Sequence, residues 1–329
     1  MLRAVSVGLG WWSNELASAI QGRSDKIQIV SCYSRSEEKR AEFADTFGTA
    51  QHSSYDAVLA DLDVDAVVLT TPHSLHAEHV AQAAEAGKHV FVEKPFTLTV
   101  DTGISAAAAC ANAKRVLAVG HNRRFSAAAE ALRTLWDVGR FGTVLHLETN
   151  FSAPGALRYT ADKWRANRLE SPAGAMAGLG IHMVDLLCWL AGPVQSICAK
   201  AKRRAVSVDM DDTTSAIMEF ACGATGYLGT LFACPYTTFV NIYGTEANAF
   251  ADIDADRLTV HPVGEEAKPQ RLTPVNTLRS ELEEFADACS GGPPFRVRPE
   301  EAIHNVAVME AIVESAVSNS AMVTPKAGV

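Results

Sequence analysis

The first twenty residues hold the feature that most constrains the fold. An apolar strand-like segment at 4–7 runs into Gly8-Leu9-Gly10-Trp11-Trp12-Ser13, and residues 14–21 have a helical pattern. In such a strand–loop–helix, the first glycine permits a tight turn and the second lets the backbone approach a pyrophosphate at the helix N-terminus. Ser13 takes the place of a third glycine and is small enough for close helix–strand packing. The chain is therefore predicted to begin with a dinucleotide-binding βαβ unit.

Strands and helices then alternate to about residue 120. Strand-like runs at 27–33, 65–70, 89–92 and 115–119 are separated by helical stretches, a pattern that predicts a doubly wound parallel sheet. Later runs alternate polar and apolar residues, as an antiparallel sheet with one covered face does. Helices are predicted at 179–190, 276–289 and 300–317. The predicted domains are an α/β Rossmann domain over 1–120 and an α+β domain with a large, mostly antiparallel open sheet over 121–329.

Composition excludes several classes of partner. The chain is 48% hydrophobic and 20% charged, with a net charge of −9, so neither nucleic acid nor an anionic membrane is expected as the main partner. The seven cysteines are scattered and never form Cys-x-x-Cys, which is typical of free thiols in a reducing compartment. No signal peptide and no apolar stretch of about 20 residues is visible. We expect a cytoplasmic protein.

A second motif, Glu93-Lys94-Pro95, ends the strand predicted over 89–92. Ligands of open α/β sheets bind beyond the carboxyl ends of the strands, so these residues are expected at the rim of a site. Pro95 has a fixed φ, and its X-Pro bond can also be cis, so it can aim Lys94. The alternative is an ordinary strand end with a solvated Glu–Lys pair.

The end of the second strand bears on cofactor choice. NAD-binding proteins hold the ribose 2′-hydroxyl with an acidic residue here, but this strand ends in Ser34 and Arg35, with Arg40 one turn later. A hydroxyl and guanidinium groups suit a 2′-phosphate. We predict NADP as the preferred cofactor and NAD as the alternative; a solvated basic helix start is the other interpretation.

Three histidines, His73, His76 and His79, follow the strand predicted over 65–70. They do not all share one helix face, and no carboxylate or cysteine completes a set of ligands. No metal site is therefore predicted.

Three stretches together resemble the Gfo/Idh/MocA family of nicotinamide-dependent oxidoreductases: GLGWWS, AGKHVFVEKPF and GAMAGLGIHMVDLLCWLAG at 174–192. The segments TPHSLHAEHV and GHNRRF extend the resemblance over nearly the whole chain. It implies an N-terminal Rossmann domain and a C-terminal sheet that binds substrate and often forms an oligomer interface. It also implies oxidation or reduction at a hydroxyl carbon of a sugar, cyclitol or related ring.

The resemblance implies catalytic roles for Lys94, which touches the nicotinamide ribose and a substrate hydroxyl, and for His182, which lies against the substrate. The family motif has a carboxylate four residues before this histidine, where this chain has Gly178. Asp185 is expected to orient His182 or to close the site from behind. A lysine accepts a proton at neutral pH only if its surroundings lower its pKa from about 10.4 towards about 7–8. Glu93 is therefore expected to point away from Lys94.

The predicted sites contain the following residues. Cofactor binding is assigned to Gly8, Gly10, Trp11, Trp12, Ser13, Ser34, Arg35, Thr71, Pro72, His76, Glu93, Lys94, Asn122, Trp164 and Arg165. Substrate binding is assigned to Lys94, Asn122, Arg124 and His182, although a structural ion pair is an equal alternative for Arg124.

The predicted function is hydride transfer that interconverts a hydroxyl and a carbonyl on a small polar ring, with Lys94 transferring the proton. A homo-oligomer, dimer or tetramer, is predicted through the C-terminal sheet. One alternative is a family enzyme that uses tightly held NAD to cleave glycosides without net redox. Another is a non-catalytic nicotinamide-binding sensor, which Gly178 favours.

Overall fold

The computed structural model describes residues 1–326 and forms two compact units. The first holds residues 1–122 and 276–303, and the second holds 123–275 and the segment from residue 304. Residues 276–303 were expected in the second domain. This segment packs in the first unit because the Phe285 ring rests on Phe91, and because Nε of Arg279 donates to the carbonyl oxygen of Ala19 at 2.8 Å.

The sheet of the first unit is fully parallel. Its strands are β1 (Leu2–Val7), β2 (Ile27–Tyr33), β3 (Ala50–Gln51), β4 (Ala66–Leu69), β5 (His89–Glu93) and β6 (Leu117–Gly120). They lie in the order β3-β2-β1-β4-β5-β6, which confirms the predicted doubly wound arrangement. Strands β4 and β6 are buried at every residue, as expected for a sheet covered by helices on both faces.

The helices follow the predicted pattern, and most begin at a capping side chain. They are α1 (Trp11–Ile20), α2 (Glu37–Phe47), α3 (Tyr55–Ala60), α4 (His76–Glu85), α5 (Val100–Asn112), α6 (Ala127–Asp137), α7 (Ile181–Ala191), α8 (Thr277–Cys289) and α9 (Pro299–Val317). Ser36, Ser54, Thr99, Ser126 and Asn276 each accept a hydrogen bond from a backbone N–H in the first turn of their helix. Helix α1 differs, because it begins after Gly10 with no side-chain cap.

The second unit contains the predicted open sheet. Its strands are β7 (Val144–Ser152), β8 (Val194–Lys202), β9 (Thr213–Phe220), β10 (Thr225–Leu231), β11 (Thr237–Gly244), β12 (Ala247–Asp252), β13 (Arg257–Pro262) and β14 (Lys268–Arg271). The order is β14-β13-β12-β11-β7-β10-β9-β8, antiparallel except between β7 and β10. Burial alternates along β9 and β12, so one face forms a core with helices such as α6 and α7.

The start of α7 differs from the prediction. A wide π-helical turn spans Met176–Gly180 and the regular helix begins only at Ile181, whereas the sequence predicted a helix from 179. Close packing accompanies the turn: a Cβ atom at Gly180 would lie 2.8 Å from Sδ of Met176 and 3.0 Å from Cγ2 of Thr230. Turns of this kind occur frequently at functional sites.

The structure agrees with the prediction that the cysteines are free thiols. All seven cysteines are free thiols. Within residues 1–326, no helix combines the length and apolar character that crossing a membrane requires. The same residues contain no group of three or more histidine, cysteine, aspartate or glutamate side chains arranged to hold a metal ion.

Candidate active site

Gly8, which the sequence predicts to form a tight turn after β1, lies close to the end of β4. Its φ is +93°, in the left-handed region that favours glycine. A Cβ atom here would lie 2.8 Å from both the carbonyl carbon of Thr70 and the nitrogen of Thr71. The Gly8 nitrogen also donates to the carbonyl oxygen of Tyr33 at 2.9 Å. Only glycine fits this approach, which brings the ends of β1, β2 and β4 together.

The N-terminus of α1 is open to a ligand. No heavy atom lies within 4 Å of where a Cβ atom at Gly10 would stand, and the helix has neither a side-chain cap nor an acidic residue in its first turn. Oγ of Ser13 donates to the Gly10 carbonyl oxygen at 2.7 Å, and the indole Nε1 of Trp12 is buried without a hydrogen-bond partner among residues 1–326. Unpaired helix N–H groups and the positive end of the helix dipole attract anions. The loop therefore fits the pyrophosphate of a dinucleotide.

Two side chains at the end of β2 donate hydrogen bonds to backbone carbonyl oxygens of the same loop. Nη1 of Arg40 donates to the carbonyl oxygen of Ser34 at 2.7 Å, and Oγ of Ser34 donates to the carbonyl oxygen of Ser36 at 3.1 Å. Arg35 is exposed. Arg40 therefore shapes the loop, and Arg35 is the guanidinium that extends into solvent at the predicted 2′-phosphate site.

The loop after β4 is organised around His76, which the sequence assigned to cofactor binding. The ring is fully buried, with Nδ1 at 2.9 Å from the carbonyl oxygen of Pro95 and Nε2 at 2.9 Å from that of Thr71. Burial lowers the pKa of His76 to about 4, although its carbonyl contacts act in the opposite direction. The predicted cofactor contact of His76 is therefore replaced by a structural role, because a side chain with no exposed surface cannot touch a ligand. Its ring joins the β4 loop, with Thr71 and Pro72, to the Lys94-Pro95 turn.

Lys94 follows β5, half-buried, and the Lys94–Pro95 bond is cis. Glu93 is buried, and its Oε2 accepts a hydrogen bond from the backbone nitrogen of Lys94 at 3.3 Å. The carboxylate has room there because of Gly120 on the neighbouring strand: a Cβ atom at Gly120 would lie 2.8 Å from Oε1 of Glu93. The expectation that Glu93 points away from the Lys94 ammonium stays a prediction.

Helix α8 adds two residues that the sequence analysis missed. Oγ1 of Thr277 accepts a hydrogen bond from Nδ2 of Asn122 at 3.2 Å, and Glu281 is fully buried. Burial and the negative charges of Glu93 and Glu284 raise the pKa of Glu281 well above its usual value, against the opposing effect of Lys94. The available signal was a glutamate on the same helix face as Phe285, four residues later.

In the second unit, His182 lies on α7 and is almost fully buried. Its ring centroid is 6.0 Å from that of Phe151 on β7. The Arg123 guanidinium lies over the Phe151 ring, 4.0 Å from its centroid. The Tyr236 ring meets the Phe151 ring edge-on, with centroids 5.8 Å apart. Asp254 binds both Arg123, at 3.0 Å from Nη2, and the Tyr236 hydroxyl. The sequence analysis missed this cluster, because its members come from distant segments.

Arg124 has the structural role that the sequence left open. The guanidinium is fully buried and donates from Nε and Nη2 to the two carboxyl oxygens of Asp185, at 2.8 and 2.7 Å. Nδ2 of Asn305 donates to the same carboxylate at 2.7 Å. The predicted substrate contact of Arg124 does not fit this burial. The Asp185 carboxylate therefore accepts hydrogen bonds from Arg124 and Asn305, and its expected role in orienting His182 stays a prediction.

The remaining predicted residues lie in the segment before α7. The Arg165 guanidinium stacks 4.0 Å from the centroid of the Trp164 ring, and their contact with a cofactor stays a prediction. Gly178 is half-buried, and a Cβ atom there would meet only the Phe232 ring, at 3.8 Å. This is an ordinary van der Waals distance, so the position has room for a side chain.

Comparison with known proteins identifies the family. Residues 2–121 match the description "Oxidoreductase family, NAD-binding Rossmann fold" of GFO/IDH/MocA proteins, and residues 129–250 match the GFO/IDH/MocA C-terminal domain. The chain belongs to the Gfo/Idh/MocA family. The predicted resemblance is thereby confirmed, and the glycine loop of this Gfo/Idh/MocA protein lies within an NAD-binding Rossmann domain of an oxidoreductase family.

Several Gfo/Idh/MocA relatives are similar over most of their length. D-xylose 1-dehydrogenase (NADP(+)) 2 of Haloferax volcanii is 30% identical, over 92% of this chain and 94% of its own. 1,5-Anhydro-D-fructose reductase of Ensifer adhaerens is 26% identical, over 89% of this chain and 90% of its own. The crystal structure of a proposed NADPH-dependent oxidoreductase from Desulfitobacterium hafniense DCB-2 has a TM-score of 0.91 at 30% identity, covering 98% of this chain and 97% of that one.

Proposed function

We propose that this protein interconverts a hydroxyl and a carbonyl group on a small polar ring, with NADP(H) as preferred cofactor and NAD(H) as the alternative. The observation that carries the proposal is the common edge of the parallel sheet at which the Gly8 loop, Thr71 and Lys94 follow β1, β4 and β5. Ligands of open α/β sheets bind beyond this edge, and an uncapped helix N-terminus lies there to receive a pyrophosphate.

The cofactor and the substrate are bound by different residues in this proposal. Gly8, Gly10 and the first turn of α1 bind the pyrophosphate, and Arg35 binds a 2′-phosphate. When bound, a nicotinamide supplies or accepts the hydride. Lys94 takes the hydroxyl proton during oxidation and returns it during reduction, and His182 contacts the substrate.

The relatives support a sugar or sugar-like substrate. One is named as a dehydrogenase of D-xylose with NADP(+), and another as a reductase of 1,5-anhydro-D-fructose. Both names describe exchange between a hydroxyl and a carbonyl on a small polar ring. We therefore propose sugars as the preferred class of substrate, followed by cyclitols and dihydrodiols.

The test is the absorbance of reduced nicotinamide, followed with NADP(H) and NAD(H) across sugars, cyclitols and aromatic dihydrodiols. We expect turnover with at least one sugar and higher kcat/KM with the NADP(H) pair. Cofactor binding by fluorescence with no turnover in either direction would contradict the enzyme proposal.

A binding or sensor protein is the second candidate, and Gly178 is the observation that favours it. The chain has glycine where the family motif has a carboxylate, so this position supplies no acidic group for the chemistry. A sensor would bind cofactor and sugar with matching affinities in wild type and Lys94→Ala, with no hydride transfer in either. The turnover assay above separates the two candidates.

The predicted homo-oligomer is proposed to form through the open face of the second sheet. A row of paired residues crosses five strands on this face: Ile217, Tyr227, Glu148, Asn241 and Phe250. Ile217 is 59% exposed and Phe250 37% exposed, so apolar surface is available for burial. We expect light scattering to give the mass of a dimer or tetramer, and the double variant Ile217→Glu with Phe250→Glu to shift that mass towards the monomer.

We also propose that the protein acts in the cytoplasm.

A further inference from the structure

One face of α8 meets the ends of β5 and β6. Thr277, Glu281 and Phe285 are spaced four residues apart and therefore lie along a single stripe of the helix. Thr277 accepts a hydrogen bond from Asn122, which follows β6, and the Phe285 ring packs at a tilt against Phe91 of β5, with ring centroids 5.8 Å apart.

These two contacts fix the position of Glu281. Phe91 and Glu93 are two residues apart on β5 and point to the same side of the sheet. Glu281 lies one helical turn before Phe285, on the same side of α8. The aromatic contact between Phe91 and Phe285 therefore sets Glu281 beside Glu93, whose carboxylate occupies the space that Gly120 leaves open on β6.

The two carboxyl groups have different surroundings. Glu281 is fully buried, and neither of its carboxyl oxygens has a hydrogen-bond partner among residues 1–326. Oε2 of Glu93 accepts the Lys94 backbone N–H, a contact that stabilises an ionised carboxylate. Two adjacent buried carboxyl groups do not both ionise readily, because like charges repel and burial opposes charge.

The elements packed against α8 include α1, β2 and β5. The charged groups that act on the Glu281 carboxyl are Glu93 and Lys94 at the end of β5 and Glu284 on α8. Glu284 itself is paired with Arg296, at 2.7 Å between Oε2 and Nη2. Together with burial, the acidic neighbours raise the pKa of Glu281 well above its usual value.

We propose that Glu281 and Glu93 form a buried pair that holds one proton, with Glu281 as the neutral member and Glu93 as the anion next to Lys94. The pair then presents one negative charge to Lys94 instead of two. This inference rests on the proposed function, because its consequence is that Lys94 loses its proton at a lower pH than it would beside two carboxylates. A second carboxylate would stabilise the ammonium form of Lys94 and leave less of the neutral amine that accepts a proton. Glu281 is thus a positioning residue that acts through Glu93 and Lys94.

The protonation of Glu281 is tested by infrared difference spectroscopy, which needs no substrate. We expect the C=O band of a protonated carboxylic acid in the wild-type protein at pH 7, lost in Glu281→Gln. The control is Glu283→Gln, on the same helix but half-exposed, which should keep the band. A band that persists in Glu281→Gln overturns the proposal.

The effect on Lys94 is tested by the pH dependence of kcat for oxidation, which rises as the base loses its proton. Glu93→Gln removes the anion, so the rise should move to lower pH by roughly one unit or more. Glu281→Gln replaces a neutral group by a neutral isostere, so the rise should stay at the wild-type pH. Equal shifts in both variants mean that both carboxylates are ionised and overturn the assignment; no shift in either overturns the link to Lys94.

Glu281→Met, which is unbranched and neutral, replaces the glutamine variant in both assays if that variant does not fold. Failure of the proposed function has a different signature. Lys94→Ala with normal turnover would remove Lys94 as the base, while the infrared result for Glu281 would still stand or fall by itself.

Discussion

Arg124 and Asp185 form a buried two-point ion pair, at 2.8 and 2.7 Å. Removing one partner leaves a buried charge uncompensated, which typically costs about 3–5 kcal/mol. We expect Arg124→Met to lower the free energy of unfolding by about that amount in a denaturant titration.

The matched control is Arg257→Met, which removes an arginine from the exposed pair with Asp252 and should cost less than about 1 kcal/mol. The double variant Arg124→Met with Asp185→Leu should recover much of the loss, because no buried charge remains. A single Arg124→Met variant as stable as the wild type would contradict the structural role of Arg124.

The pKa of His76 makes stability depend on pH. Burial lowers this pKa from 6.5 to about 4, so between these values the unfolded chain binds a proton that the folded chain excludes. Stability is therefore complete above pH 6.5 and falls as the pH drops towards 4, by up to about 3 kcal/mol. We expect a smaller fall in His76→Gln over this range.

The comparison isolates His76, because His79, His89 and His304, whose pKa values are also lowered, are present in both proteins. The control His261→Gln removes an exposed histidine and should leave the wild-type pH dependence intact. Parallel stability curves for wild type and His76→Gln would show that His76 does not carry the effect.

Much of this architecture could be predicted from local sequence. The turn from β1 into the glycine loop requires the positive φ of Gly8. The alternation of strands and helices predicts the parallel sheet. The placement of 276–303 could not be predicted in this way, since it depends on Phe285 meeting Phe91 across almost two hundred residues.

The site residues also fall into those that local sequence defines and those that contacts between distant segments define. Lys94 and the glycine loop stand out because their neighbours in the chain define them. His76 and Arg124 have the residue types of a binding site, and only their burial assigns them to the Pro95 carbonyl and to Asp185. Glu281 could not be identified, because its importance comes from Glu93 on another element.

Cofactor preference is tested at Arg35. A charge-assisted contact with a 2′-phosphate is worth about 1.5–3 kcal/mol, so Arg35→Ala should weaken NADP(H) binding by roughly tenfold or more and leave NAD(H) binding nearly unchanged. Fluorescence titration measures both. The control Arg23→Ala removes another exposed arginine and should change neither. Equal losses for both cofactors, or a wild-type preference for NAD(H), would remove the assignment.

Proton transfer is tested at Lys94. Lys94→Ala should lower kcat by roughly 10²–10⁴-fold, the range for a positioned acid or base, with an unchanged circular dichroism spectrum. Lys94→Arg should not restore the rate, because a guanidinium stays charged and cannot accept a proton. Lys200→Ala, at an exposed lysine on β8, serves as the control. Near-normal turnover in Lys94→Ala would exclude the proposed mechanism.

The last prediction concerns Gly178, where the chain lacks the carboxylate of the family motif. A Cβ atom at this position would lie 3.8 Å from the Phe232 ring, an ordinary van der Waals distance, so Gly178→Asp is expected to fold. Glycine leaves space for a substrate that is larger, or more acidic, than a simple cyclitol. We therefore expect Gly178→Asp to reduce kcat/KM for the native substrate by crowding or repulsion.

Gly178→Asn is the matched control, since it has the same size without the charge. A larger loss in the aspartate variant than in the asparagine variant would identify repulsion of an acidic substrate, and equal losses would identify crowding. His182→Ala should cost at least tenfold in kcat, because Lys94 and His182 are then the residues on which the chemistry depends. If Gly178→Asp instead raises activity strongly, the natural protein is a degraded enzyme, and the sensor becomes the better description of its function.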